Sequence, residues 1–523
     1  MWYTQTMGKK ADKPKRTASF VATFEVLAEA AGCRQLEQMR NAYRQLYNAT
    51  LGDLQRRLRR ARTAPEWAAA RLLPKDSEER RQAFGRVRQQ WGLSAAGAQK
   101  TADRFCVGHF QKQTNSRVVQ QVAKRAWQAT ERVMFGKAKR VRFKGREDFT
   151  SFGGNDNQTG VVVSVGTGTV RVGKLVLAFA ADSGNPYHVH ALQHRVKYSR
   201  IIKRMINGVS RWYVQMVLEG TPYRDPQHVT QAGERVGLDL GPAKIAVATA
   251  SDSFQQPFCP GLKQKQAEIR RLQRRLERSR RAANPEHYHP NGTVKKGRKV
   301  WRQSTRYRNL RTRLANLERR KSAQRTSLHG QLAHRILTFG NQLHLEQVSY
   351  KAWQKWYGKA VGQQAPSGFV THLIRLAATH GGGASLINTF QTGLSQLCLC
   401  GARRKKSLAE RTHSCPDCGF TAPRDEWSAF LALHTGCSNG TWVTDLSGVA
   451  LGLQSHRTLR PGRDHHPGPG AVAVAVVEND KLRAVGPGST HGVPPAVRGV
   501  RTRAGERNLE PPVGDNGCGS GCR

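Results

Sequence analysis

Apolar positions recur along the chain in two periods, and the places where the period changes divide it into segments. From about Leu36 to Phe135, residues such as Leu36, Met39, Tyr43 and Tyr47 follow helical spacing with Arg and Gln between them, and a run from Ala95 to Phe135 continues the pattern. Amphipathic helices are predicted there. From Val141 to Gly220 the period drops to two. Val161-Val162-Val163-Ser164-Val165, Arg171 to Leu177 and Trp212 to Leu218 read as strands separated by glycine turns, which predicts a small barrel or sandwich. Phe20 to Leu27 reads as a strand of the same body, which makes the helical region an insertion in it.

Further along, Val236 to Leu240 and Lys244 to Thr249 are short apolar strands. Leu262, Ile269, Leu272 and Leu276 then mark one helical stripe, from Leu262 to Ala283, in which most other positions are Arg, Lys or Gln. A loop with Asn284-Pro285 and Pro290-Asn291-Gly292 leads to a partner helix carrying Leu310, Leu314 and Leu317, so a basic antiparallel hairpin is expected. Leu343 to Val348 returns to strand, Phe369 to His380 is helical, and Ala384 to Phe390 is strand again. From Cys437 onward Gly and Pro accumulate without periodicity, which predicts a largely disordered tail around an apolar island at Val472 to Val477.

Charge changes what these segments mean. The 523 residues hold 86 Lys and Arg against 36 Asp and Glu, a net charge of +50. A solvated surface needs no such excess, and self-repulsion opposes a compact free state, so a polyanionic partner is expected. The cations on the helices, Lys124, Arg125, Arg270, Arg271, Arg274 and Arg275, become candidate nucleic-acid contacts, beside the plainer reading of a solvated basic face. No stretch approaches the roughly 18 apolar residues of a membrane span. Met1 to Arg16 is basic without an apolar core, so no secretory signal is expected and the cytoplasm is the expected compartment, in a prokaryotic, nucleoid-associated setting.

Acids are scarce in such a chain, and three stand in telling places. Asp239 ends an apolar strand within Gly237-Leu238-Asp239-Leu240-Gly241, where glycines admit a close backbone or ligand. Glu346 lies inside a strand, and Asp425 just before the apolar run Ala429 to Leu433. An acid in an apolar strand is expensive unless compensated, and a cation shared among carboxylates is a common solution. Two Mg²⁺ about 4 Å apart would activate a water and stabilise the leaving oxygen of a phosphodiester. Taken singly, each acid also reads more plainly, as a strand-end acid, an edge-strand acid or a helix cap. Cys398, Cys400, Cys415 and Cys418 form the second cluster, whose spacing suits one structural Zn²⁺, although the first pair has one intervening residue and His413 is an alternative ligand.

The order of these motifs resembles the RuvC-like nuclease of the transposon-associated TnpB/OrfB family, to which the type V CRISPR effectors are related. The resemblance spans about Phe20 to Leu433, and includes Arg142-Phe143-Lys144-Gly145, Arg211-Trp212-Tyr213-Val214 and Thr392-Gly393-Leu394-Ser395-Gln396. It implies a multidomain α+β protein. A basic N-terminal segment (1–19) would precede a β-barrel wedge domain (20–33 and 138–232), into which a helical recognition domain (34–137) is inserted. An RNase H-like (RuvC) domain (233–390 and 421–436), a zinc ribbon (391–420) and the tail (437–523) would follow. It also implies an RNA-guided DNA endonuclease that takes a guide RNA and a double-stranded target with a short adjacent motif. Asp239, Glu346 and Asp425 would be its catalytic ligands for two Mg²⁺. Trp427-Ser428 stands where the family has Asn-Ala, so a guided DNA-binding protein that represses by occupancy, with weak or no cleavage, remains the alternative. A DDE transposase fits less well, since its Glu comes last.

Overall fold

The computed structural model describes residues 17–110, 114–407 and 409–459. The chain divides into two units, Met1–His465 and His466–Arg523, and all elements below lie in the first.

β1 (Ser19–Leu27) is followed by five helices: α1 (Ala30–Thr63), α2 (Pro65–Leu72), α3 (Glu78–Gln90), α4 (Ala95–Phe105) and α5 (Ser116–Met134). The chain then returns as β2 (Ser151–Gly153), β3 (Val161–Ser164), β4 (Thr169–Val172) and β5 (Leu175–Ala180). After α6 (Pro186–Leu192) it closes the sheet with β6 (Val196–Ile206) and β7 (Val209–Glu219). The order β2-β6-β7-β1-β5-β4-β3 is antiparallel throughout and puts β1 at the centre, so the helices are an insertion after the central strand. The ladder stays open, with β3 curling round near β6, so the small barrel or sandwich expected is a half-barrel.

One apolar core joins the inserted helices to this sheet. Leu36, Tyr43, Leu46, Leu51 and Leu54 on α1 meet Phe149, Phe152, Val214 and Met216. Arg40, buried within it, donates to the Phe149 carbonyl at 2.8 Å and to Glu37 at 3.0 Å, which satisfies a guanidinium that burial would otherwise penalise.

A second sheet begins at β8 (Arg235–Leu240), β9 (Lys244–Ala248) and β10 (Ser253–Pro257). The basic hairpin α7 (Leu262–Ala283) and α8 (Thr305–Leu337) forms as its leucine stripes predict. Next come β11 (Gln342–Glu346), α9 (Tyr350–Gln364), α10 (Pro366–Thr379) and β12 (Gly383–Ile387). The sheet order is β10-β9-β8-β11-β12, antiparallel from β10 to β8 and parallel from β8 to β12. Val236, Leu238, Leu343 and Leu345 face α8 and α10, while the alternate positions face the other way.

On that other face lie α11 (Thr389–Thr392), the hairpin β13 (Thr412–Ser414) and β14 (Thr421–Pro423), and α12 (Arg424–Leu433). β15 (Thr435–Ser438), β16 (Thr441–Thr444) and α13 (Leu446–Ser455) extend it. These last elements correct the expectation of a disordered tail from Cys437. Val449, Leu453 and Leu459 are buried against Phe430, so apolar contacts hold a stretch that lacks long periodicity. The first sixteen residues, Val472 to Val477, Cys518 and Cys522 lie outside the described residues. Among the described residues no helix is long and apolar enough to cross a membrane.

Candidate active site and metal centre

Strand register brings the first two acids together. Leu345 pairs with Leu238 in the parallel β11–β8 ladder, so Asp239 and Glu346 occupy the next, neighbouring positions at the ends of these strands. The third acid arrives on α12, whose backbone lies directly across β8. Gly237 makes that possible: a Cβ there would sit 1.9 Å from the Ala429 carbonyl oxygen and 3.0 Å from the Leu433 nitrogen. Gly237 is two residues before Asp239 and shares its face, so the approach of α12 sets Asp425, in its first turn, against the same pocket. The helix N-cap is Pro423, which rules out a capping role for Asp425.

The electrostatics of the three are unequal. Burial, and after it the neighbouring Glu346 and Asp425 carboxylates, push the Asp239 carboxyl well above its ordinary range, while Arg424 and Lys244 pull the other way. Burial raises Glu346 as well, and the Leu394 backbone N–H opposes the shift by hydrogen bonding to its carboxylate. Asp425 is taken up by cations. Its Oδ1 accepts from Arg424 at 2.9 and 3.1 Å, and its Oδ2 lies 3.3 Å from the Lys244 Nζ and 3.7 Å from the Arg411 Nη1. An all-oxygen set containing two half-buried, mutually repelling carboxyls is of the kind a hard divalent cation such as Mg²⁺ takes. Lys244 and Arg411 are invisible to motif spacing, while Leu394 and Arg424 lie within stretches of the resemblance and the glycine at 237 carries a sequence signal.

The cysteines are gathered more tightly. The Sγ atoms of Cys398, Cys400, Cys415 and Cys418 all lie within 4.8 Å of one another, which among the described residues no other group of three or more such donors achieves. Cys398 and Cys418 are 3.6 Å apart, and Cys400 and Cys415 are 3.7 Å apart. Two tight turns build the cluster. Gly401 and Gly419 take positive φ of 87° and 72° and donate to the Cys398 and Cys415 carbonyls at 3.1 and 3.0 Å. The Cys418 backbone N–H lowers the Cys415 thiol to about 7, while burial raises Cys398, so the four thiols do not ionise alike without a metal. Four thiols so placed can hold one Zn²⁺, and the short Cys-x-Cys half does not prevent it. His413 is not a fourth ligand: it is buried with Nδ1 against Lys406, outside the sulfur group.

Trp427 joins the two centres. Its indole is fully buried, its Nε1 donates to the Leu397 carbonyl at 2.9 Å, and its ring packs 4.6 Å from that of Phe420. The side chain therefore ties α12 to the cysteine turns.

The predicted cations fare differently. Arg270, Arg271, Arg274 and Arg275 are all exposed on α7, and Arg271 and Arg275 line a groove of about 410 Å³ with Arg313 and Arg320 of α8. Lys124 is exposed at a cleft of about 520 Å³ between α5 and the half-barrel. Arg125 lines the same cleft but is held inward, donating to the Ser151 carbonyl at 2.7 Å with its guanidinium 4.6 Å from the Phe149 ring centre. Burial lowers its basicity, so much of its charge serves the packing of α5 on β2.

No protein-family model and no curated protein matches the chain. Among solved structures, the Cas12f1–sgRNA–target DNA complex resembles it with a TM-score of 0.44 and 10% identity, over 79% of this chain and 98% of that one. A CRISPR–Cas12f ternary complex resembles it with a TM-score of 0.25 and 10% identity, over 77% and 84%. Both neighbours are Cas12f complexes. TM-scores this low add nothing about the chemistry of this chain.

Proposed function

We propose that the chain is an RNA-guided DNA endonuclease with a RuvC-like site. The observation that carries the reading is the placement of Asp239 and Glu346 at paired ends of adjacent strands, with Asp425 in the first turn of the helix laid across them and near enough to raise the Asp239 carboxyl, in a chain otherwise charged to +50. Parallel strands whose ends present the acids support the RNase H-like assignment, since ligands of open α/β sheets bind outside those ends. The half-barrel is then the wedge, α1 to α5 the recognition helices, and the cysteine turns the ribbon. The Cas12f1 complex holds an sgRNA and a target DNA. The same two partners are proposed here, in the cytoplasm, with Arg270, Arg271, Arg274, Arg275 and Lys124 against phosphates.

Asp239, Glu346 and Asp425 would hold two Mg²⁺. When bound, the ions supply an activated water and charge stabilisation at the leaving oxygen. The Leu394 N–H favours the charged form of Glu346 against the upward push of burial and aims its carboxylate. Lys244, which also donates to the Gln255 side chain, and Arg411 offset the carboxylates and supply positive charge beside them for a phosphate. Gly237 keeps α12 close enough for its acid to reach the other two.

Purification with the native RNA, sequencing of that RNA and cleavage of a matched target in Mg²⁺ test the reading. Asp239→Ala should abolish cutting and leave target binding nearly unchanged, because few phosphate contacts are removed. A mutant that cuts at the wild-type rate would refute the site. Random host RNA would refute the guided class. The alternative, guided binding without cleavage, is favoured by one observation: Asp425 is already paired with Arg424, Lys244 and Arg411. Tight target binding with no nicking at any Mg²⁺ concentration would establish it.

A further inference from the structure

We propose that Phe390 is a stacking platform for one base of a single-stranded nucleic acid, positioning the strand at the carboxylate pocket; this rests on the nuclease reading above. Phe390 is 98% exposed, whereas Phe24, Phe149, Phe152, Phe258, Phe369 and Phe430 are fully buried. Its exposure does not come from a loose segment. The Asn388 side chain accepts from the Phe390 N–H at 3.0 Å, Thr392 is buried, and Gly393 closes the α11 turn with φ of 55° and an N–H bond to the Thr389 carbonyl at 3.1 Å. A built turn thus holds an aromatic ring out in water.

The turn is anchored on both sides to the strand end that carries Glu346. Before Phe390, Thr389 donates to the Gln347 carbonyl at 3.5 Å, and the Gln347 N–H bonds the Ile387 carbonyl at 2.8 Å. After it, the Leu394 N–H holds the Glu346 carboxylate. On its outer side the turn meets cations: Arg403 donates to the Gln391 carbonyl at 3.4 Å and Lys406 to the Ser395 carbonyl at 3.0 Å. A flat exposed ring, on a turn that binds two cations through its carbonyls and hydrogen-bonds to the strand end of Glu346, matches the needs of an unpaired strand, whose bases stack while its phosphates seek positive charge. A duplex offers no free base face there, so the ring selects strands already opened. Phe390 is a positioning residue, acting through the base it receives.

The test uses the full chain with its RNA and a short single-stranded DNA carrying 2-aminopurine, without divalent metal, so that binding is read apart from cleavage. Wild type should quench the probe. Phe390→Ala should weaken single-strand binding about tenfold and abolish the quench, while Phe390→Trp retains both and duplex binding is unchanged. An equal thermal midpoint shows that the fold is intact. Equal affinity and quenching in Phe390→Ala would overturn the proposal. So would light scattering showing an assembly of wild-type chains that Phe390→Ala dissolves, since the ring would then face a second copy. If Asp239→Ala proves irrelevant to cutting but the Phe390 effect persists, the stacking site stands and the nuclease site fails.

Discussion

The four sulfurs and the three carboxylates share one side of the five-stranded sheet but are assembled in opposite ways. The sulfurs come from two short turns, each closed by a glycine with positive φ, and lie within 4.8 Å of one another. The carboxylates come from β8, β11 and α12, and one of them is paired with three cations. A local cluster needs only turn geometry. A long-range cluster needs close backbone packing to converge and counter-charges to coexist, and its members are held by residues with no motif of their own.

The largest expected effect separates the two centres by metal. Metal analysis should find about one Zn²⁺ per chain. Chelation, or Cys415→Ser, should loosen the cysteine turns and expose Trp427, seen as a red shift in tryptophan emission and a lower melting temperature. Metal-coupled folding of such sites is worth on the order of 10 kcal/mol. Zero zinc with an unchanged melting temperature would break the comparison.

Gly237→Ala should strike the other centre first. The added methyl cannot fit beside the Ala429 carbonyl, so α12 must shift, at about 1–3 kcal/mol. Cleavage should be lost and zinc content kept. Full cleavage in this variant would mean that the approach of α12 does not set the pocket. Trp427→Phe should cost less, about 1 kcal/mol in urea unfolding, from the lost bond to the Leu397 carbonyl. An effect on zinc content larger than on cleavage would show that the indole serves the ribbon first. Arg411→Ala should be smallest for stability, below about 1 kcal/mol, since its guanidinium is mostly exposed. It should nevertheless tighten divalent-metal binding, measured by calorimetry, by removing one competitor at Asp425. Weaker binding would show that Arg411 supports the metal form instead.

Much of the architecture is legible in the chain. The alternation in Trp212 to Leu218 fixes a strand because one face is buried, and the leucines of α7 and α8 fix a hairpin because nothing else there can form a core. Residues 435 to 455 escape such reading. Their short strands and helix gain burial only against Phe430 and its neighbours, a contact between elements rather than a pattern within one. Arg125 illustrates the same limit, since its sequence context is that of any surface cation, yet Phe149 and Ser151 draw it inward. Trp427, a departure from the family pattern in sequence, serves as a tie between helix and ribbon.

By itself the sequence determined the cationic excess, the periodicities of both sheets and the hairpin, and the grouping of the four cysteines. These depend on interactions within a few residues or on composition alone. Only the tertiary structure decided that Asp239 and Glu346 end paired strands, that Arg424, Lys244 and Arg411 surround Asp425, and that Phe390 stands exposed on a hydrogen-bonded turn. Those facts depend on which distant backbones approach one another. A single missing side chain, at Gly237, is what lets the nearest two do so.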